Sequence, residues 1–73
     1  MFDNMTFGER LRYIRRKRKI KQKDLANQIG VSRDAMYKYE HDIFEPRLII
    51  FMCIADALGV TMDFLVRGDL SEI

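Results

Sequence analysis

The sequence predicts an all-α fold, a compact bundle of five short helices, and three observations carry that prediction. Apolar residues recur three and four positions apart in several separate stretches, which is the period of a helix with one buried face. Hydroxyl residues suited to capping a helix start stand before three of those stretches, at Thr6, Ser32 and Thr61. Glycines suited to ending a helix follow at Gly30 and Gly68. With 73 residues the chain forms one domain over 1–73, its core at about 6–68 between short tails, and its hydrophobic core is modest.

The first helix starts at Thr6-Phe7-Gly8-Glu9, where the Thr6 hydroxyl and the Glu9 carboxylate form a capping box. Phe7, Leu11 and Ile14 mark its buried stripe. The cations Arg10, Arg12, Arg16, Lys17 and Lys19 lie off that stripe, with Arg15 near its border, and the helix is expected to end near Arg18 or Lys19 before Ile20 returns to the core.

The second helix opens at Gln22 and buries Leu25, Ala26 and Ile29 under a polar face of Gln22, Lys23 and Asn27. Gly30 ends it, because glycine takes the left-handed conformation without a Cβ clash. Val31 plugs inward and Ser32 offers its hydroxyl to the next helix, Arg33 to Glu40. On that third helix Met36 and Tyr39 face back with Ala35, while Arg33, Asp34, Tyr37 and Lys38 share the other face. Two helices joined by about three to four residues with a glycine cross steeply, the geometry of a DNA-binding helix-turn-helix. A polar outward face alone is what any surface helix shows, so the turn carries the inference.

Pro46 fits the start of the fourth helix, which is apolar at Leu48, Phe51, Met52, Ile54, Ala55 and Leu58, with Ile49 and Ile50 apolar as well. That is more than one buried face needs. The surplus, together with Ile43 and Phe44, reads either as an exposed patch for a protein partner or a second copy of the chain, or as denser core packing. Thr61 caps a last short helix, Phe64 and Leu65 close the core, Gly68 stops the helix, and a short acidic tail runs from Asp69 to Ile73.

A net charge of +2 conceals an asymmetry: residues 1–23 hold nine Lys/Arg against two acids, and residues 24–73 hold four against nine. All nine of those cations lie between Arg10 and Lys23 with no acid among them, a field suited to a polyanion such as double-stranded DNA. Other classes lack their residues. Cys53 is the only cysteine, so no intramolecular disulfide or Cys-rich zinc site is expected and a reducing cytoplasm is the natural setting. His41 is the only histidine, which argues against a metal role. No apolar run approaches the roughly 20 residues of a membrane span. No nucleophile–base pair, Gly-rich phosphate loop or carboxylate dyad points to an enzyme, and no cofactor is implied.

The run Gln22, Leu25, Ala26, Ile29, Gly30, Val31, Ser32, Met36, Tyr39 and Glu40 resembles the phage-repressor-like helix-turn-helix family, of Cro or xenobiotic-response-element type. Pro46, Leu48, Ile54-Ala55, Ala57-Leu58-Gly59-Val60 and Asp63-Phe64-Leu65 extend the resemblance over roughly residues 6–68. It implies a five-helix lambda-repressor-like domain whose second and third helices form the motif. It also implies that Gln22 binds a backbone phosphate and that Arg15 pairs with Glu40, bridging the first helix to the end of the third while still directing an N–H at a phosphate. The sequence departs from the family at Lys19, where glycine is frequent, and at His41-Asp42, where Asn-Gly is common. Positions matching Ile43, Phe44, Ile49 and Ile50 are often polar in that family.

In this reading the third helix reads bases. Arg33 suits a bidentate contact with guanine, and Lys38, one turn on, reaches a second guanine or a phosphate. Asp34 either accepts from a cytosine amine or neutralises Lys38, and Tyr37 contacts a thymine methyl or a phosphate. Lys21, Lys23 and His41 join Gln22 and Arg15 in phosphate contacts, which set register without carrying sequence information. Asp42 and Glu45 are expected near the DNA, where they soften nonspecific affinity. The expectation is a transcriptional regulator, by default a repressor, that binds a palindromic operator as a homodimer. The alternative is a protein-interaction module, antitoxin-like or adaptor, whose apolar patch around Phe44, Ile49 and Ile50 takes a protein partner.

Overall fold

A computed structural model describes residues 2–68 of the chain. Five α-helices follow a short 3-10 turn at Phe2–Asn4: α1 Phe7–Lys17, α2 Gln22–Ile29, α3 Arg33–Glu40, α4 Leu48–Leu58 and α5 Met62–Arg67. The described residues contain no strand. No helix among them is long and apolar enough to cross a membrane. The tail expected from Asp69 to Ile73 lies outside the described residues.

The caps fall where the hydroxyls stand. Thr6 and Glu9 form a reciprocal box, the Glu9 amide donating to Thr6 Oγ1 at 3.1 Å and the Thr6 amide to Glu9 Oε1 at 2.8 Å. Ser32 Oγ accepts from the Ala35 amide and Thr61 Oγ1 from the Phe64 amide, each at 3.0 Å. Gly30 ends α2 at φ 80°, and the Val31 amide donates to the Ala26 carbonyl, so the chain turns at once into α3.

Every helix sends at least one fully buried side chain to a shared core: Leu11, Leu25, Met36, Ile54, Leu58 and Phe64 are each at most 1% exposed. Such side chains contribute about 1.5–3 kcal/mol each. Helix α2 packs on α3 and α4, and α1 on α3 and α5, so the motif is backed by the rest of the bundle.

Helix α1 ends close to where it is expected, at Lys17 with Arg18 as its cap, and Lys19 itself occupies the left-handed region at φ 58°. Three details depart from the sequence reading. Helix α4 begins at Leu48 with Arg47 as its N-cap, so Pro46 lies in the preceding loop and not in the first turn. The residues before Thr6 belong to the core's edge: the Phe2 ring stacks edge-on against Tyr13 and Phe64 at 5.1 and 5.2 Å. Arg10 is not an outward cation. It is 4% exposed, with Nε donating to the Leu65 carbonyl, Nη2 to Val66, and Nη1 to Phe2 and Met5, which ties the first turn of the chain to the end of α5.

Candidate nucleic-acid interface

One carboxylate organises the surface around α3. Glu40, in the last turn of α3, is 2% exposed and accepts from Arg15 Nε at 2.5 Å, Arg15 Nη2 at 3.0 Å and Gln22 Nε2 at 3.2 Å. Arg15 Nη1 also holds the Ile20 carbonyl at 2.8 Å, so the loop between α1 and α2 is pinned by the same guanidinium. A single buried charge therefore joins α1, the entry of α2 and the exit of α3. Its geometry is bidentate, the stronger arrangement for this pair.

The ends of α1 and α3 meet without space for a side chain. A Cβ on Gly8 would lie 2.5 Å from the Glu40 carbonyl oxygen and 2.6 Å from that of Tyr39. Beyond α3, Asp42 takes the left-handed position at φ 59°, and its Oδ1 accepts from the Gly8 amide at 2.9 Å while Oδ2 accepts from the Thr6 hydroxyl. Asp42 thus caps the N-terminus of α1, where the helix dipole favours an anion. Asp42 is itself exposed, with its carboxylate engaged by the Gly8 amide and the Thr6 hydroxyl. Glu45 is exposed in the loop before α4.

With α3 held in this way, its free face carries Arg33, Asp34, Tyr37 and Lys38. Arg33 and Asp34 are exposed, and Tyr37 is 47% exposed. Among the described residues Arg33 has no ion-pair partner, whereas Lys38 Nζ lies 3.0 Å from Asp34 Oδ2. Tyr39 packs on the core, as its helical period predicts. His41, exposed just past α3, lays its ring on Tyr37 with centroids 4.2 Å apart.

Of the five residues read as phosphate contacts, Lys21, Gln22 and Lys23 stand at the start of α2, Arg15 lies on α1 and His41 follows α3. Lys21 and Lys23 are exposed and Gln22 is half-buried, its amide held by Glu40. Arg15 has only 9% of its side chain exposed and acts here as an internal support. Of the nine clustered cations, Arg10 and Arg15 are buried and Arg18 donates to the Leu58 carbonyl at 2.9 Å. The outward field belongs to Arg12, Arg16, Lys17, Arg18, Lys19, Lys21 and Lys23.

The apolar surplus divides. Ile50 packs against the core and leaves the expected patch, because α4 turns it inward beside Ile54. Ile43, Phe44 and Ile49 remain exposed, Ile49 most of all at 71%, and Leu48 and Met52, read with the apolar face of α4, are exposed beside them. Two features escaped sequence reasoning, the Arg10 clamp on carbonyls and the seat of Phe44 beneath Lys38, its ring centre 4.8 Å from Nζ. Backbone carbonyl partners leave no trace in residue type. An aromatic six residues after a lysine, across an irregular loop, gives no periodic signal either.

A helix-turn-helix family profile matches residues 11–65. The chain is 38% identical over 65 residues to the repressor protein C2 of Salmonella phage P22, covering 89% of this chain and 30% of that one. It is 38% identical over 72 residues to the SPbeta prophage-derived uncharacterized HTH-type transcriptional regulator YonR of Bacillus subtilis, covering 92% of this chain and 67% of that one. A second uncharacterized regulator of Bacillus subtilis, YqaE, is 32% identical over 66 residues, 90% of this chain and 57% of its own length. The chain thus spans between about a third and two thirds of these relatives. Among solved structures, it resembles the P22 c2 repressor in complex with a synthetic operator, with a TM-score of 0.85 at 35% identity, covering 89% of this chain and 98% of that one. The solution structure of the P22 c2 DNA-binding domain gives the same TM-score at 36% identity, covering 90% and 87%.

Proposed function

Because this chain belongs to the helix-turn-helix family, we propose that it is a sequence-specific DNA-binding transcriptional regulator that inserts α3 into the major groove. The observation that carries the proposal is the Glu40 node: it fixes α3 against α1 and α2 while leaving Arg33, Asp34, Tyr37 and Lys38 outward. Rigid support with a free polar face is what base reading requires.

The outward cations of α1 and α2 attract the duplex, and Lys21, Gln22, Lys23 and His41 take phosphates to set the register. Arg33 then donates to O6 and N7 of a guanine, Lys38 to a second guanine or a phosphate, and Asp34 disfavours bases that offer it no amine. The role is binding, with no catalysis and no cofactor, in the cytoplasm.

The chain acts as a twofold dimer, by default a repressor that occludes a promoter. With principal extents of 30 × 22 × 21 Å and one recognition helix of eight residues, a single copy reaches one stretch of groove. Successive grooves on one face of a duplex lie about 34–36 Å apart, which two copies span. The test is selection of duplexes from a random library by the purified chain at moderate salt. Paired half-sites about one helical turn apart are the expected result, and absence of enrichment at any salt overturns the proposal.

A second reading rests on the exposed side chains of Phe44, Leu48, Ile49 and Met52, which present an apolar surface to a protein partner. Salt separates the two readings, since DNA affinity falls steeply with added salt and apolar contact does not.

A further inference from the structure

We propose that Phe44 is a positioning residue for base recognition, so that the surface reading DNA extends beyond α3 into the loop that follows it. The assignment rests on the DNA-reading role of α3. Four contacts converge on Lys38. The amides of Ile43 and Phe44 both donate to its carbonyl, at 2.9 and 3.3 Å, which folds the loop back along the helix. Its ammonium lies 3.0 Å from Asp34 Oδ2 and 4.8 Å from the centre of the Phe44 ring.

The ion pair alone holds Lys38 weakly, because the Asp34 side chain is 73% exposed and water screens it. The ring supplies a second fixed surface. A cation over an aromatic face keeps its attraction without demanding a particular hydrogen-bond direction, so one ammonium hydrogen goes to Asp34 and the others stay free for an acceptor. A lysine otherwise loses many rotamers when it is ordered at an interface, and here that ordering is already present in the free protein. The position of the ring also explains why a large apolar side chain stands 52% exposed beside a polar helix face.

The test uses the full chain, its selected duplex and the single base-pair variants of that duplex. Lys38→Met, Phe44→Leu, Phe44→Trp and the double variant Lys38→Met, Phe44→Leu are compared. The expected result is that Lys38→Met and Phe44→Leu flatten preference at the same base pair, Phe44→Leu by roughly two- to fivefold. Phe44→Trp retains that preference, and the double variant is no flatter than Lys38→Met alone. If Phe44→Leu weakens every duplex by one common factor, or acts equally with and without Lys38, the assignment is overturned and Phe44 serves only the apolar patch. A wild-type chain that prefers no duplex removes the DNA-reading role first, and the assignment falls with it.

Discussion

Arg15 holds both carboxylate oxygens of Glu40 across the junction of α1 and α3, at 2.5 Å from Nε and 3.0 Å from Nη2. The carboxylate side chain is fully buried and the guanidinium nearly so. Two charges taken out of water are tolerable only while each satisfies the other. The orientation of α3 therefore depends on an ion pair as well as on apolar packing, and Gln22 joins the pair from the start of α2.

Glu40→Ala leaves Arg15 buried without its partner and should destabilise the fold by about 3–5 kcal/mol. Replacing both partners by apolar residues, Arg15→Met with Glu40→Leu, should recover most of that loss. Urea unfolding followed by circular dichroism measures both. A loss below about 1 kcal/mol for Glu40→Ala would show that packing alone sets α3.

Gly8→Ala tests the close approach of α1 to α3. The added Cβ meets two backbone carbonyl oxygens at 2.5 and 2.6 Å, and neither can rotate away as a side chain would. The end of α3 must shift, at a stability cost of about 1–3 kcal/mol. Specific DNA binding should fall more than nonspecific binding, since a displaced α3 still sits in a positive field. Comparing the two affinities in one titration series decides it; an equal fall would place the damage in the electrostatic surface instead.

The sequence was most readable where one residue type has one use. The Thr6–Glu9 box, the Ser32 and Thr61 caps and the Gly30 turn are local chemistry, and each stands where it was expected. Arg15 with Glu40 was legible only through the family resemblance, because 25 residues separate the partners. Arg10 was misread because helical period assigns a face but cannot show that four carbonyls converge above it. Ile49 and Ile50 are adjacent and identical in type, and only the rotation of α4 against the core decides that one is exposed and the other half-buried.

Lys19 and Asp42 share a left-handed backbone, at φ 58° and 59°, yet glycine should act oppositely at the two sites. Lys19→Gly relieves the strain and removes no side-chain hydrogen bond among the described residues, so it should stabilise the fold by about 0.5–1 kcal/mol. Asp42→Gly relieves the same strain but removes the acceptor of the Gly8 amide and the Thr6 hydroxyl, and should destabilise by about 1 kcal/mol net. Thermal unfolding of the two variants side by side gives the signs directly. Stabilisation by both would mean that the Asp42 cap on α1 contributes less than the backbone strain it costs.

Arg33 and Gln22 divide specificity from affinity, and their alanine variants should differ in kind. Arg33 is exposed at the start of α3 without a partner among the described residues, so Arg33→Ala should cost roughly 1–3 kcal/mol on the selected duplex and relax preference at one base pair. Gln22 is held by Glu40 at the entry of α2, so Gln22→Ala should weaken all duplexes by a similar factor. The salt dependence adds an independent readout. Lys21→Ala removes a cation and should lower the slope of log affinity against log salt by about 1, whereas Gln22→Ala removes a neutral donor and should leave it unchanged. Loss of preference at a single base pair in Gln22→Ala, or a uniform loss in Arg33→Ala, would reverse the roles given to the two helices.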